Sequence, residues 1–334
     1  MVLVIFHQDQ IQSYFWGTRI EISVKGTLKA REDLGERTSR GSSHNAGNLK
    51  LSGKFSALRA YVSGESKRLE GWFARSDAEM FQTILEHQNR NKWGGSVAEI
   101  GPYHGRCFIA MCLALQNCEK AYCVDVFDAQ DLTKDNFYEQ SNRAAFEKNL
   151  TQFRLDRTRI TVDAKSSQDV TPEDIMSAVG PVRLFSVDGG HWQEIVESDL
   201  KLAEACLCDW GIIALDDFYR PEWPDVSAGY FSWYAVRKKA IAPFAVGFNK
   251  LYLCHQNFVR QYQEALAENS FLEIYLSKSV EFQNTRLPVY QHYLLPEDDL
   301  KTRLKFYVKL FNPDIYVKAS NFRRKLSRRA RRTR

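Results

Sequence analysis

Between Lys54 and His255 the chain alternates two kinds of apolar pattern. Short continuous apolar runs of strand length are separated by longer stretches with helical spacing. Two helices are expected first, within "SALRAYVSGESKRLEGWFARSDAEMFQTILEHQNR", the second opening at Ser76 with an Asp and a Glu in its first turn. Strands are then predicted at Val97–Ile100, Ala121–Val126, Ile160–Val162, Val182–Val187 and Gly211–Leu215. Helices are predicted between them at Phe108–Leu115, Arg143–Phe153, Pro172–Val179 and Trp192–Leu207, the third capped by Thr171. Strands spaced by helices of this length form βαβ units, hence a parallel sheet with helices on both faces.

Beyond Asp217 the pattern changes. "FYRPEWPDVSAGYFSWY" reads as an aromatic, Pro-containing loop, followed by a helix near Ser232–Ala240 and two strand-like pieces in "FAVGFNKLYLC". The chain divides into a polar and mobile extension (1–53), an α/β unit (54–256), a helical and irregular extension (257–312) and a tail (313–334). The first segment is rich in Gly, Ser and charge and lacks sustained periodicity.

Composition sharpens this picture at three points. The chain has 334 residues with 44% hydrophobic and 13% aromatic content, enough for a buried core. Its net charge of +5 belongs to the end of the chain, since removing the nine basic residues from Lys318 onward leaves −4. That tail is suited to polyanion contact. Seven cysteines without a CxxC pair fit neither a disulfide framework nor a zinc site, which points to a reducing, cytoplasmic setting. No apolar run is long enough for a membrane helix, and "MVLVIF" lacks the features of a signal segment.

The candidate chemistry lies at the strand ends, where open α/β sheets bind ligands. "VAEIGPYHGRC" puts Glu99, Gly101 and Gly105 at the first strand-to-helix turn, where glycines admit close backbone approach and a helix start favours anions. The spacing departs from the dinucleotide fingerprint GxGxxG. Asp125 ends the second strand and is placed to accept hydrogen bonds from a ribose diol. His104 reads as a loop-surface residue. "FSVDGGHW" ends the fourth strand with Asp188 and sets His191 three residues later, while "IIALDD" ends the fifth with Asp216 and Asp217. Each feature has a plain alternative: glycines and Asp make turns, and an Asp-Asp pair or His191 can cap a helix.

The arrangement E-x-G-x-x-x-G resembles motif I of the class I S-adenosylmethionine-dependent methyltransferases. Asp188 with the Asp216–Asp217 pair resembles, residue by residue, the metal site of catechol- and macrocin-type O-methyltransferases. The resemblance covers roughly residues 70 to 255. It implies a Rossmann-like, doubly wound, mostly parallel seven-stranded sheet, with terminal extensions outside it. It also implies S-adenosylmethionine as cofactor, held by Glu99, Gly101, Gly105, Asp125 and Ser166 (or Ser167 beside it). A divalent metal, Mg2+ by preference, would sit on Asp188, Asp216 and Asp217, the oxygen ligands a hard cation takes. His191 stands where catechol-type enzymes carry a lysine base, so the sequence departs there while keeping a proton acceptor. The implied reaction is methylation of a hydroxyl on a small molecule or glycoside, by a protein that is a homo-oligomer candidate. Two alternatives stay open, a nucleic-acid methyltransferase using the basic tail and a non-catalytic nucleoside-binding protein.

Overall fold

The computed structural model describes residues 55–116, 118–128, 141–273 and 275–291, together with the backbone of three short strands near the start of the chain. Those strands, β1 (Val4–His7), β2 (Gln10–Phe15) and β3 (Thr18–Ser23), pair antiparallel in sequence order. They belong to a unit of their own, Met1–Gly47, distinct from Asn48–Arg334. These strands fall within the segment 1–53 expected as a polar, mobile extension, and the tail after Gln291 lies outside the described residues.

The second unit opens with α1 (Ser56–Ser63) and α2 (Arg75–Arg90). The βα alternation follows: β4 (Ser96–Ile100), α3 (Arg106–Cys112), β5 (Ala121–Asp125), α4 (Arg143–Gln152), β6 (Ile160–Ala164) and α5 (Pro172–Val179). It continues with β7 (Val182–Val187), α6 (Gln193–Cys206), β8 (Leu207–Asp216), α7 (Pro224–Val236), β9 (Ile241–Val246) and β10 (Lys250–His255). Then come α8 (Val259–Ala267), α9 (Ser270–Glu273), β11 (Lys278–Phe282) and β12 (Thr285–Val289).

The sheet order is β11-β12-β9-β10-β8-β7-β4-β5-β6. Strands β4 to β8 are mutually parallel, whereas β10 runs antiparallel to both β8 and β9. The seven expected strands are all present, in a Rossmann-like α/β sheet extended on one edge by the β11–β12 hairpin. That hairpin replaces part of the helical extension expected after residue 257. Its alternation is short and half-exposed, so the sequence offered no sustained period there.

The helices cover both faces. Along the central strands, alternate residues divide between two cores. Val97, Cys123, Leu184 and Ile212 join the α1–α4 and α8 side, while Ala98, Val124, Phe185 and Ile213 join the α5–α7 side. A strand buried on both faces reads as a continuous apolar run, the pattern from which the parallel sheet was predicted.

One helix departs clearly from expectation. The residues after Asp217 form a loop only as far as Trp223, and α7 starts at Pro224 instead of near Ser232. Pro at the first helical position costs no hydrogen bond, and Val226, Tyr230 and Trp233 then fall on one buried face. Gly229 lets this helix close on α6, because a Cβ there would meet the Gln193 carbonyl at 2.7 Å.

Candidate functional site

All the predicted strand-tip residues lie along one edge of the sheet, the carboxyl ends of β4, β5, β7 and β8. Because β10 is antiparallel to β8, the start of β10 reaches the same edge, and Lys250 pairs directly with Asp216. Val187 of β7 pairs with Leu215 of β8, so Asp188 and Asp216 follow side by side. Strand order and register therefore set Lys250, Asp216 and Asp188 in one row.

The structure brings together Asp188, Asp216, Asp217 and His191. The three acids each offer an oxygen within 4.8 Å of the others. Lys250 Nζ lies 2.9 Å from Asp216 Oδ2 and 3.5 Å from Asp188 Oδ2, and the lysine is buried. Asn249 Nδ2 donates to Asp216 Oδ1 and to Asp217 Oδ1, each at 2.7 Å. His191 Nε2 lies 3.1 Å from Asp217 Oδ2, and its ring stacks on Trp223 with centroids 4.1 Å apart. Asp217 itself has φ +55, a left-handed conformation that a non-glycine residue keeps only when its surroundings hold it there.

These neighbours set the charge states. Burial and then Asp216 push the Asp188 carboxyl well above its ordinary range, with Lys250 pulling the other way. Burial alone would raise Asp217 too, but hydrogen bonds from His191 and Asn249 outweigh it and hold this carboxyl below its usual value. Burial disfavours the Lys250 ammonium, and Asp216 and Asp188 more than reverse that, holding its pKa well above the ordinary lysine value.

The glycine turn is present, and its glycines are explained by the protein itself. Gly101 has φ +75 and Gly105 has φ +86. A Cβ on Gly101 would run into the Asp188 carbonyl, and one on Gly105 would press on the Phe146 ring at 3.1 Å. Glu99 is fully buried beside Cys107 and Ser186, and neither of its oxygens accepts a hydrogen bond of normal geometry. Burial pushes its carboxyl up to about 7, against the pull of Lys250.

Asp125 sits at the tip of β5 as expected and is already well supplied with donors. Oδ1 accepts from the Phe127 N–H and the Ser141 hydroxyl, and Oδ2 from the Tyr103 N–H. It thereby ties the glycine turn to the second strand, and Oδ2 keeps a lone pair. Ser166 caps the short helical turn 167–169 by accepting from the Gln168 N–H at 3.2 Å. His104 is a correction. It is buried rather than on the loop surface, stacked on Tyr103 with Nδ1 3.3 Å from Glu70 Oε2.

Three residues of the site escaped the sequence reading: Lys250, Asn249 and Asp77. Asp77, in the first turn of α2, is buried and accepts hydrogen bonds from the Asn249 N–H at 3.1 Å and the Tyr252 hydroxyl at 2.8 Å. It fixes the turn that presents Asn249 to the two acids. The available signal was a lone lysine opening an otherwise apolar strand, "KLYLC".

Three carboxylates with converging oxygens fit a hard divalent cation. The buried ammonium beside two of them is a feature such an ion would have to accommodate.

Residues 98–218 match the family model described as "Methyltransferase domain". Curated proteins gave no match. Among solved structures, the O-methyltransferase NovP aligns at 14% identity over 62% of this chain and 98% of its own, with a TM-score of 0.48. The O-methyltransferase TomG from Streptomyces achromogenes aligns at 14% identity over 63% of this chain and 95% of its own, with a TM-score of 0.41. An O-methyltransferase from Bacillus cereus aligns at 13% identity over 59% of this chain and 89% of its own, with a TM-score of 0.42. The matched segment begins inside β4 and ends just beyond Asp217, so the similarity to a methyltransferase domain takes in the glycine turn and every strand-tip acid.

Proposed function

We propose that the protein transfers a methyl group from S-adenosylmethionine to a hydroxyl oxygen of a small molecule or glycoside, with His191 as the base. The observation that carries this reading is the placement of His191, bonded to Asp217, beside three converging carboxylates on the sheet edge that also bears the glycine turn.

Glu99, Gly101, Gly105, Asp125 and Ser166 are the residues assigned to the cofactor. Asp188, Asp216 and Asp217 are assigned to a divalent ion, Mg2+ by preference, which when bound would supply Lewis acidity to the acceptor oxygen. The Asp217 carboxylate, 3.1 Å from Nε2, orients the His191 imidazole, the group assigned as proton acceptor. His191 then takes the hydroxyl proton as the oxygen attacks the methyl carbon. When bound, S-adenosylmethionine would supply the methyl carbon and leave as S-adenosylhomocysteine, the carbon–sulfur electron pair staying on sulfur, so that the product would be the methyl ether. The main task for the remaining residues is to align oxygen, carbon and sulfur. Tyr219 is exposed in the loop after Asp217 and Phe248 in the turn before Asn249; both supply flat apolar surface for an acceptor ring.

The catalytic unit is assigned to residues 54–256, and the basic tail 313–334 to polyanion contact. Seven free cysteines support a reducing compartment such as the cytoplasm. No helix among the described residues is long and apolar enough to cross a membrane.

The test is calorimetric titration with S-adenosylmethionine, with and without Mg2+, on wild type and Asp216→Ala, followed by a panel of hydroxylated acceptors. Cofactor binding by both proteins, with methylation abolished in the variant and by chelation, supports the assignment. Absence of S-adenosylmethionine binding to wild type would end it.

A further inference from the structure

Metal-binding acid clusters carry their negative charge for the ion to neutralise. Here part of that task is already done from within the chain. The Lys250 ammonium is directed into the cluster from the start of β10, 2.9 Å from Asp216 Oδ2 and 3.5 Å from Asp188 Oδ2. Only 2% of the residue is exposed, so water cannot replace these partners. Its position is set by the backbone: Lys250 is the register partner of Asp216 and begins a strand whose next four residues are fully buried. A lysine on a flexible loop could leave when an ion arrives; this one is built into the sheet.

We propose that Lys250 is a resident cation of the acidic cluster, which lets Asp188 and Asp216 assemble without metal and weakens the site's hold on any divalent ion. The inference deepens the reading above and rests on it, because it treats Asp188, Asp216 and Asp217 as the ligands the ion would take. The consequences are specific. The folded protein should not depend on a divalent ion to relieve repulsion among its acids. An ion entering the cluster must sit beside a fixed positive charge, so its binding should tighten when that charge is removed.

Two measurements on the full-length, cofactor-free protein decide the matter. The first is the wild-type melting temperature in excess EDTA and in millimolar MgCl2. A difference below about 3 °C is expected, and a larger fall on chelation overturns the inference, since the cluster would then need an external cation. The second is titration with Mn2+ alone, followed by electron paramagnetic resonance, on wild type and Lys250→Met. The variant is expected to bind at least about tenfold more tightly, and equal or weaker binding than a wild type that does take up Mn2+ overturns the inference. If neither protein binds Mn2+ while the wild type ignores chelator, Lys250 stands as the buried cation that Asp188 and Asp216 share and the divalent-ion assignment fails by itself. If Lys250→Met does not fold, the wild-type chelation result decides alone.

Discussion

A Cβ on Gly101 would lie 1.8 Å from the carbonyl oxygen of Asp188. The glycine turn after β4 and the acid at the tip of β7 are therefore in backbone contact, and the Asp188 N–H also donates to the Ile100 carbonyl at 3.1 Å. Gly101 is required here by two constraints, a positive φ and the approach of a neighbouring strand. Gly180 has a similar φ of +74 but open space where its Cβ would be. Gly180 has ψ −164, an extended conformation at positive φ that is essentially restricted to glycine, so Gly180→Ala should cost that backbone strain alone, about 1–3 kcal/mol. Gly101→Ala should cost about 3 kcal/mol or more, because a backbone carbonyl must also move. Thermal melts of the two variants measure the difference, and S-adenosylmethionine titration should show binding retained only in Gly180→Ala.

Asn249 bridges Asp216 and Asp217, and Asp77 holds Asn249 through its backbone N–H. Such outer partners orient the groups they touch without meeting substrate, and their loss commonly costs about 10–100-fold in activity or metal affinity. Asn249→Ala is expected to lower methyl transfer by about that factor while S-adenosylmethionine binding is kept. Asp77→Asn puts an amide where two donors converge and should destabilise the fold by about 1–3 kcal/mol. A large activity loss in Asn249→Ala accompanied by an equal loss of stability would show that the residue is merely structural.

Most of the sheet could be read in the sequence because its central strands are buried on both faces and separated by helices. Val182–Val187 and Pro172–Val179 occur with the predicted bounds. The strand-tip acids were legible for the same reason, since a charged residue at the end of an apolar run has few places to go. Asn249, Lys250 and Asp77 were not legible, because their roles depend on β10 running antiparallel beside β8, which no local pattern encodes. The glycines were recognised as special, but the physical cause differs. The sequence suggested an approach to a ligand, whereas Asp188 and Phe146 supply the close contact. Helix α7 was misplaced because its aromatic residues resemble a loop wall until Pro224 is taken as a helix start.

His191 has partners of different kinds, among them the Asp217 carboxylate at 3.1 Å and the Trp223 face at 4.1 Å between centroids. If it is the base, His191→Ala should lower kcat by about 10²–10⁴-fold with cofactor affinity little changed. Trp223→Leu should act through the orientation of the imidazole and cost less, about tenfold in kcat. Steady-state kinetics beside cofactor titration separates these effects from a general loss of the site. A fully active His191→Ala would remove His191 from the chemistry and leave it as a partner of Asp217.

Asp199 offers a test of buried charge away from the reacting groups. It lies on α6 under the Gly189 backbone, 1% exposed, with Oδ1 3.5 Å from Gln168 Nε2 and no hydrogen-bond partner of normal geometry for Oδ2. Burial raises its carboxyl from 3.8 to about 7. The native state therefore keeps the proton between about pH 4 and pH 7, where the unfolded chain releases it. Native protein binds more protons in that window, so this group's contribution to stability is full below the unfolded pKa and is lost as pH rises through the folded value. Asp199→Asn keeps an acceptor for Gln168 and has no proton to lose. Relative to wild type the variant should gain on the order of 3 kcal/mol at pH 8 and little at pH 4. Urea unfolding of both proteins at pH 4, 6 and 8 reads this directly. A stability difference that does not change with pH would mean that Asp199 stays ionised in the folded protein, held by Gln168 and Ser167 more firmly than its burial allows.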